Sequence, residues 1–577
     1  RGGEEVLYFF DQKSRRIVEA PRKSLALEGV IPALEGEYEV ETLKGKVKVR
    51  PVFEFLKDKL RDYTPNKASR ITGVAPQLIE DLAVKFATAR GVVNIHNMQW
   101  GKHYHGDLVQ RSQILLWALC GHFGRKGASF NVVAPLVPDT SFATTQSQGG
   151  EMLKRAEAVD PRVLSWREQG YTDEMIMLEY ITEAYFKGSI CNPTMLYLLH
   201  SGLLDIASKH GNWDPCLKRP IEEYLSESLK KGWQLAVPPL GKEPRIIIEH
   251  GGDFLRRSRT SRELLNTLLP KLKLLVAIDM YMINTALHSD YVLPVAGSYD
   301  RYEVAMGMAS FPYLQPAARV VEPLYESKTD WAVYVLLAKK IEEKAKARGI
   351  TSFKDAKGLE RRLDNLYHQV TSGGLYTEDD SEIVTRDYFS NASNLEKMEW
   401  EEFKDKGYAA FTAVGIIMPE MACDIVPGEP IVPLTNHIIK KQPYPTYCRR
   451  MQFYIDHDWF LELGEELPTH KDVPKMGGDY PIQLTGGHAR WSVHAAWKDS
   501  PILLRLQRGE PIMFMNAKDA QARGIEDGDY VEVCNDIASI QIKAAVSAAA
   551  RPGQAIIYHD WLNFQFKGRR HFKELMP

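Results

Sequence analysis

At 577 residues the chain is too long for one hydrophobic core and calls for three or four domains. Its 44% hydrophobic and 26% charged residues belong to an ordinary globular composition, and a net charge of −2 excludes a global field that would gather nucleic acid or anionic membrane. No apolar run approaches the ~20 residues needed to cross a bilayer, and Cys120, Cys191, Cys216, Cys423, Cys448 and Cys534 are scattered without a C-x-x-C pair, which argues against an iron–sulfur cluster or structural zinc held by this chain alone.

In chain order, Val47-Lys-Val-Arg-Pro-Val-Phe precedes an amphipathic stretch from Glu54 to Leu60. Ala75 to Ala87 has apolar residues at helical spacing, with Pro76 tolerated in the first turn. Gly91-Val-Val-Asn-Ile-His reads as a short buried strand, and its polar exit loop runs into a helix from Leu108 to Leu119, ended by the glycines of Gly121-His-Phe-Gly-Arg-Lys-Gly127. Strand, glycine-bearing loop and helix make the unit in which ligands gather at strand carboxyl ends. A second such unit has a strand at Arg245-Ile-Ile-Ile-Glu-His, a stop at Gly251-Gly252, a helix from Arg262 to Leu269 and a strand at Leu274-Leu-Val-Ala-Ile-Asp. A further run, Tyr291-Val-Leu-Pro-Val-Ala, follows. This alternation predicts an α/β protein with doubly wound parallel sheets.

Residues 340–440 carry charged helices and loops rich in Ser, Asp and Pro, without evident chemistry. From Asp479 onward short β runs recur at Pro511-Ile-Met-Phe-Met, Tyr530-Val-Glu-Val-Cys, Ile540 to Val546 and Gln554 to His559, a spacing that predicts a compact β-barrel. The expected organisation is therefore 1–150 and 151–335 as α/β domains, 336–478 as a helical and loop connection, and 479–577 as the barrel.

Two distant segments carry the strongest chemical signal. Asn97-Met-Gln-Trp-Gly-Lys-His-Tyr-His-Gly106 and Gly486-Gly-His-Ala-Arg-Trp-Ser-Val-His494 crowd glycine among Trp, His, Lys and Arg. Such a mixture suits backbone pressed against a large anionic ligand with several rings. A solvated loop would explain either segment alone. Basic runs such as Arg256-Arg-Ser-Arg259 and Lys567-Gly-Arg-Arg570 are more often solvated faces than phosphate sites. Asp279, at a strand end, either contacts a purine or ribose or caps the next turn. No G-x-G-x-x-G opens a helix after a strand, which counts against an NAD or FAD enzyme.

Ile278-Asp-Met-Tyr-Met-Ile-Asn-Thr-Ala-Leu-His-Ser-Asp-Tyr-Val-Leu-Pro294 and the stretch Asn516 to Val533 resemble signatures of the molybdopterin oxidoreductases of the dimethyl sulfoxide reductase superfamily. Gly487-His-Ala-Arg-Trp-Ser-Val-His494, Arg508-Gly-Glu-Pro511 and Tyr558-His-Asp-Trp with Phe566-Lys-Gly-Arg-Arg570 resemble the branch of ethylbenzene and dimethyl sulfide dehydrogenases and of selenate, chlorate, perchlorate and nitrate reductases. Within it the motifs lean toward ethylbenzene-dehydrogenase-like hydroxylases.

The resemblance implies bis-molybdopterin guanine dinucleotide with molybdenum as cofactor. Phosphate is expected at Gly251, Gly252, Asp253, Arg256, Arg257 and Ser258, and the guanine or ribose at Asp279 with Thr285, His288 and Asp290 alongside. A pterin is expected at Gly486, Gly487, His488, Arg490, Trp491 and His494, with Lys567 and Arg569 as weaker candidates. For Trp491 and His494 the alternative is a place in the barrel core. Gln99, Trp100, Gly101, Lys102, His103 and His105 are expected on the substrate side, with Asp139 assisting. There Lys102 would polarise substrate or product oxygen and His105 would relay protons. The reaction is either hydroxylation of an activated C–H with water as oxygen source or reduction of an oxyanion. A non-catalytic scaffold or electron-transfer relative is the alternative of another class.

The family's [4Fe–4S] segment and its molybdenum-ligating Asp are not identifiable, and no metal ligand is assigned within these residues. The chain is thus expected to be the C-terminal two-thirds of a catalytic subunit. Its expected partners are an iron–sulfur beta subunit, a haem b gamma subunit and a small-molecule substrate. The resemblance points to the periplasm, with the cytoplasm as the alternative.

Overall fold

The computed structural model describes residues 6–95, 100–131, 136–138, 161–171, 175–176, 179, 193–209, 214–259, 261–306, 311–355, 358, 360–392, 394–414, 421–446, 448–473, 478–559 and 561–576. The chain divides into two compact units, one built from 1–184, 298–322 and 331–472, the other from 185–297, 323–330 and 473–577. Both are mixed α/β. The polypeptide passes back and forth between the two.

The first unit opens with antiparallel hairpins, β1 (Tyr8–Asp11) with β2 (Arg16–Glu19) and β3 (Tyr38–Thr42) with β4 (Gly45–Val49). The helix Pro65–Thr72 starts at Thr64, whose side chain accepts the Lys67 N–H, and stops at the left-handed Gly73. The strand expected after Gly91 is β5 (Val93–Ile95), parallel to β6 (Ser129–Asn131), but it is not buried as expected: Val93 and Ile95 are exposed. A Cβ on Gly91 would lie 2.3 Å from the Gly127 carbonyl oxygen, so only glycine lets the two segments meet. The helix Gly106–Leu119 packs Trp117 against Phe86, Phe123 and Phe130. A second core gathers Leu314, Phe389, Trp400, Phe403 and Phe411 beneath the sheet of β10 (Glu303–Met306), β11 (Tyr313–Ala317) and, further along the chain, Ala409–Ala410.

The second unit holds the parallel sheet β7 (Ile246–His250), β8 (Leu274–Asp279) and β9 (Tyr291–Pro294). Leu275 to Ile278 of the central β8 are all buried, as an inner parallel strand requires, whereas β9 lies at the edge and ends on Pro294. The three strands lie in sequence order. Among the described residues there is no reversal of strand order in this sheet, so the doubly wound arrangement expected from the alternating elements is not what the ladders show; winding both ways needs a strand pairing on the far side of the first.

The C-terminal run forms one five-stranded mixed sheet. It comprises Gln483–Gly487, Ile512–Met515, Tyr530–Cys534, Ser539–Val546 and Gln554–Tyr558, ordered first, fifth, second, fourth, third. No ladder joins the two outermost strands, Gln483–Gly487 and Tyr530–Cys534, among the described residues, so the expected barrel is an open sheet. One face is covered instead by the chain's last turns, which bring Phe566, Phe572 and Leu575 into a core with Met513, Met515 and Ile557.

Candidate functional site

Loops of the second unit converge where the parallel sheet ends. After His250, Gly251 turns the chain at φ +60° and donates its N–H to the Ile278 carbonyl at 3.0 Å. Asp253 follows, 5% exposed, and its carboxylate accepts five donors. These are the Asn284 N–H (3.0 Å) and Nδ2 (2.8 Å), the Thr285 N–H (3.1 Å) and Oγ1 (2.9 Å), and the Arg256 N–H (3.3 Å). Asp253 and Thr285 therefore bind each other and fasten two loops together. Their side chains position the site rather than face a ligand. Phe254 and Leu255 anchor the next turn in the core, which leaves Arg256 partly buried and Arg257 and Arg259 exposed. A Cβ on Gly252 would meet Glu249 Oε1 at 2.4 Å. Burial and the nearby Asp253 push the Glu249 carboxyl above its ordinary range.

At the end of β8, Asp279 is partly buried and accepts the Tyr281 N–H at 3.1 Å, and desolvation raises its pKa. The turn-capping alternative is thus realised in the backbone, with the carboxyl beside Tyr281. Asp290 holds the start of β9, accepting the Leu275 N–H at 2.8 Å. His288 is exposed on the intervening turn, its pKa lowered by partial desolvation and by Arg569.

The strand Gln483–Gly487 lies parallel to Gln554–Tyr558, with Gly487 opposite Tyr558. Beyond it Arg490 stacks over Trp491 at 5.0 Å, both exposed, and His494 is exposed in a left-handed conformation at φ +52°. Trp491 and His494 are therefore outside the core. His488, His494 and His559 bring one ring nitrogen each within 4.8 Å of the others, a grouping that could hold a cation or present donors to a heteroaromatic ring. The His559 Nδ1 lies 2.7 Å from the Gly487 carbonyl, which can only accept, so Nδ1 carries the proton and Nε2 the lone pair. His559 Nε2 faces His494 Nδ1 at 3.3 Å.

The C-terminal segment ties these loops together. The Asn563 N–H donates to Asn284 Oδ1 at 3.0 Å, and Lys573 Nζ donates to the Arg257 carbonyl at 3.3 Å. Lys567 is exposed over the Tyr530 ring at 4.9 Å. His571 is 1% exposed. It accepts the Lys573 N–H at Nδ1 (3.1 Å), which leaves Nε2 to donate to the Trp561 carbonyl (3.1 Å). This neutral tautomer, held by burial beside Lys573, has a pKa well below the ordinary value. Lys498 is completely buried, with its amine over the Trp561 ring at 4.2 Å and bonded to Gln507 Oε1.

The sequence reading missed His559, Lys573 and Lys498. A His directly after a strand and a Lys three residues past the basic strip were the available signals, but their meaning depends on pairings 72 and 316 residues away in sequence.

The substrate-side candidates lie in the first unit. Gln99 and Asp139 fall outside the described residues, as does the Trp100 side chain. Trp100–Lys102 forms a single 3₁₀ turn, and Gly101, Lys102 and His103 are exposed. His105 precedes the helix Gly106–Leu119 at φ +47°, with Nδ1 3.4 Å from Glu465 Oε1. Glu465 is 7% exposed, is bonded by the buried Lys471 amine, and has its main chain fixed by Arg111, which donates to the carbonyls of Glu465 (2.7 Å) and Glu466 (2.9 Å). A buried carboxylate thus orients the His105 ring.

A fold of parallel β-units plus a mixed C-terminal sheet, with arginines, histidines and an exposed Trp grouped at loop ends, defines a protein that binds a large phosphorylated heteroaromatic cofactor. Residues 93–340 match the family Molybdopterin oxidoreductase and residues 482–571 match the Molydopterin dinucleotide binding domain, and the chain belongs to the molybdopterin oxidoreductases. It is 33% identical to the respiratory nitrate reductase subunit alpha of Haloferax mediterranei, over 95% of this chain and 52% of that protein. It is 30% identical to the perchlorate reductase subunit alpha of Dechloromonas aromatica, over 93% of this chain and 53% of that one. The chain thus spans about half the length of these relatives. The acetylene hydratase of Pelobacter acetylenicus shares the fold, with a TM-score of 0.51 and 18% identity over 90% of this chain and 62% of that one.

Proposed function

We propose that this chain is the cofactor-holding part of a molybdenum-dependent oxidoreductase that reduces an oxyanion. The observation that carries the cofactor reading is the convergence of the Gly251–Arg259 loop, the His488–His494–His559 group and the C-terminal segment, inside the stretches that match the two family descriptions. The donor set fits bis-molybdopterin guanine dinucleotide. Arg256 and Arg257 match a diphosphate, the Asp279 carboxyl with its raised pKa matches a guanine or ribose edge, and the three imidazoles with Trp491 match a pterin. When bound, the molybdenum would supply the two-electron oxygen chemistry.

The relatives' names, nitrate and perchlorate reductase, support reduction over the hydrocarbon hydroxylation toward which the motifs lean. Removing one oxygen from an oxyanion as water consumes two electrons and two protons. His105, held at Nδ1 by Glu465, is the side chain we assign to proton delivery, and the exposed Lys102 ammonium is assigned to attracting the anion. The relatives' designation as alpha subunits supports a partner subunit. That this partner carries iron–sulfur clusters for the electrons, and that the complete enzyme works in the periplasm, are proposed from the motif resemblance alone.

The test is to purify the full-length protein from an anaerobic host. Molybdenum and guanine-dinucleotide pterin are then assayed, and viologen oxidation is followed with nitrate, chlorate, perchlorate and selenate. Stoichiometric pterin with oxyanion turnover is expected. Hydroxylation of ethylbenzene without oxyanion turnover would replace the reductase reading, and a pterin-free protein would replace it with the scaffold.

A further inference from the structure

His488 and His559 leave neighbouring strands in register. Gln483–Gly487 and Gln554–Tyr558 run parallel with Gly487 opposite Tyr558, so the residue after each strand, a histidine in both, emerges at the same end of the sheet. Their rings meet edge to face, with centroids 4.3 Å apart. The chain then turns at the left-handed His494, which adds a third imidazole. One ring nitrogen of each lies within 4.8 Å of the other two.

Two features mark this group as a metal site. The first is spacing. Two nitrogens bound to a tetrahedral zinc at about 2.0–2.1 Å stand roughly 3.3–3.4 Å apart. His494 Nδ1 and His559 Nε2 are 3.3 Å apart, long for a hydrogen bond and right for an edge of the tetrahedron. The second is outer support. The Gly487 carbonyl accepts both the main-chain N–H of His559 (3.0 Å) and its Nδ1–H (2.7 Å), which fixes the ring and leaves the Nε2 lone pair facing His494. Metal-binding histidines are held by such a bond at the far nitrogen. His494 supplies its own lone pair by moving a proton from Nδ1 to Nε2, a change of tautomer with no change of charge. His488 is exposed, so its ring turns toward the ion without disturbing a core.

We infer that His488, His494 and His559 bind one divalent d-block cation, of the zinc, cobalt or copper kind, in the cofactor-free chain. Imidazole nitrogen selects these ions over magnesium and calcium, which take oxygen. Three protein ligands leave a fourth position open to water. The ion would tie together two loops whose histidines stand 65 residues apart in sequence. The site stands on these distances and not on the cofactor reading. Because that reading offers the same imidazoles to a pterin, cation and pterin are alternatives, and excess zinc would hold the chain in its cofactor-free form.

The test uses the full-length protein from a host that cannot make the pterin, stripped of metal and titrated with Co²⁺. The first equivalent should give the intense visible absorption of four-coordinate cobalt, lost on adding Zn²⁺ and unaffected by excess Mg²⁺. The chain has 16 histidines, and scattered ones give only the weak bands of six-coordinate cobalt. His488→Gln and His494→Asn, the latter a residue at ease in the left-handed conformation, should each weaken Co²⁺ binding by about tenfold or more. Weak bands alone in wild type, or both variants within twofold of it, would overturn the site. The exclusion is read from zinc and pterin contents of protein made in a competent host with and without added zinc. Pterin should fall as zinc rises, and full occupancy by both in one chain would overturn the exclusion. Pterin-binding protein whose stripped chain lacks the cobalt site removes this inference alone. A cobalt site in a chain that never takes up pterin removes the cofactor reading and leaves the metal site.

Discussion

Lys573 carries a cost in the empty protein that can be measured. Its amine falls from the ordinary 10.5 to about 8 through burial and the neighbouring arginines, and that gap corresponds to about 3 kcal/mol. Below pH 8 both folded and unfolded chains hold the proton, and the whole cost is present. Between pH 8 and 10.5 the unfolded chain keeps a proton that the folded chain has released, so stability climbs with pH. Above 10.5 the cost is gone. Lys573→Met keeps the aliphatic bulk and removes the charge, at the expense of one hydrogen bond to the Arg257 carbonyl, worth about 1 kcal/mol. The cofactor-free variant should therefore be more stable than wild type by about 2 kcal/mol at pH 7 and indistinguishable from it near pH 10. Hydrogen exchange of the amides in residues 566–576 at the two pH values reads this locally, without requiring the long chain to unfold in one step. Lower protection in the variant at pH 7, or an equal gain at both pH values, would refute the reasoning.

Asp253→Ala strands five donors in a buried site and should cost about 3 kcal/mol or more, with Asp253→Asn recovering part of it, as judged by urea titration of the cofactor-free chain. His571 is held neutral with its pKa well below the ordinary value, so the unfolded chain binds the proton first and stability is lost as pH falls through about 6.5, at up to about 1.4 kcal/mol per pH unit. His571→Phe should be less stable at pH 7.5 yet flatter toward pH 5, and parallel slopes would count against the assignment. Glu465→Gln leaves the Lys471 ammonium in a buried place without its carboxylate, costing about 3 kcal/mol, and the paired change Glu465→Leu with Lys471→Met should restore most of it in the same titration.

The readable parts of this sequence were those in which a residue's neighbours along the chain decide its state. Leu274 to Asp279, an unbroken apolar run ended by an acid, is the buried central strand it looked like. The turn at Gly251 and the helix up to Leu119 likewise follow from local pattern. Whether the parallel sheet winds both ways, or whether Gln483–Gly487 pairs with Tyr530–Cys534, is decided by ladders between strands far apart in sequence. The same apolar alternation serves an open sheet and a closed barrel equally well.

The same division runs through the candidate site, where composition marks conspicuous residues and distant pairings decide what each one contacts. Arg256, His488 and Trp491 stood out because cationic and aromatic residues beside glycine are unusual at strand ends. Asp253 stood out for the same reason, yet Asn284 and Thr285, about thirty residues away, saturate its carboxylate. Lys573 and His559 were not singled out, because a Lys just past a basic strip and a His just after a strand are common and carry no role by themselves. Each acquires its chemistry from distant segments, His559 from the Gly487 carbonyl that fixes its tautomer and Lys573 from burial beside Arg256 and Arg257. A ligand site built from loop ends is therefore announced in sequence by the residues that are conspicuous, while the groups that set its protonation are recognised only once the chain has brought distant segments together.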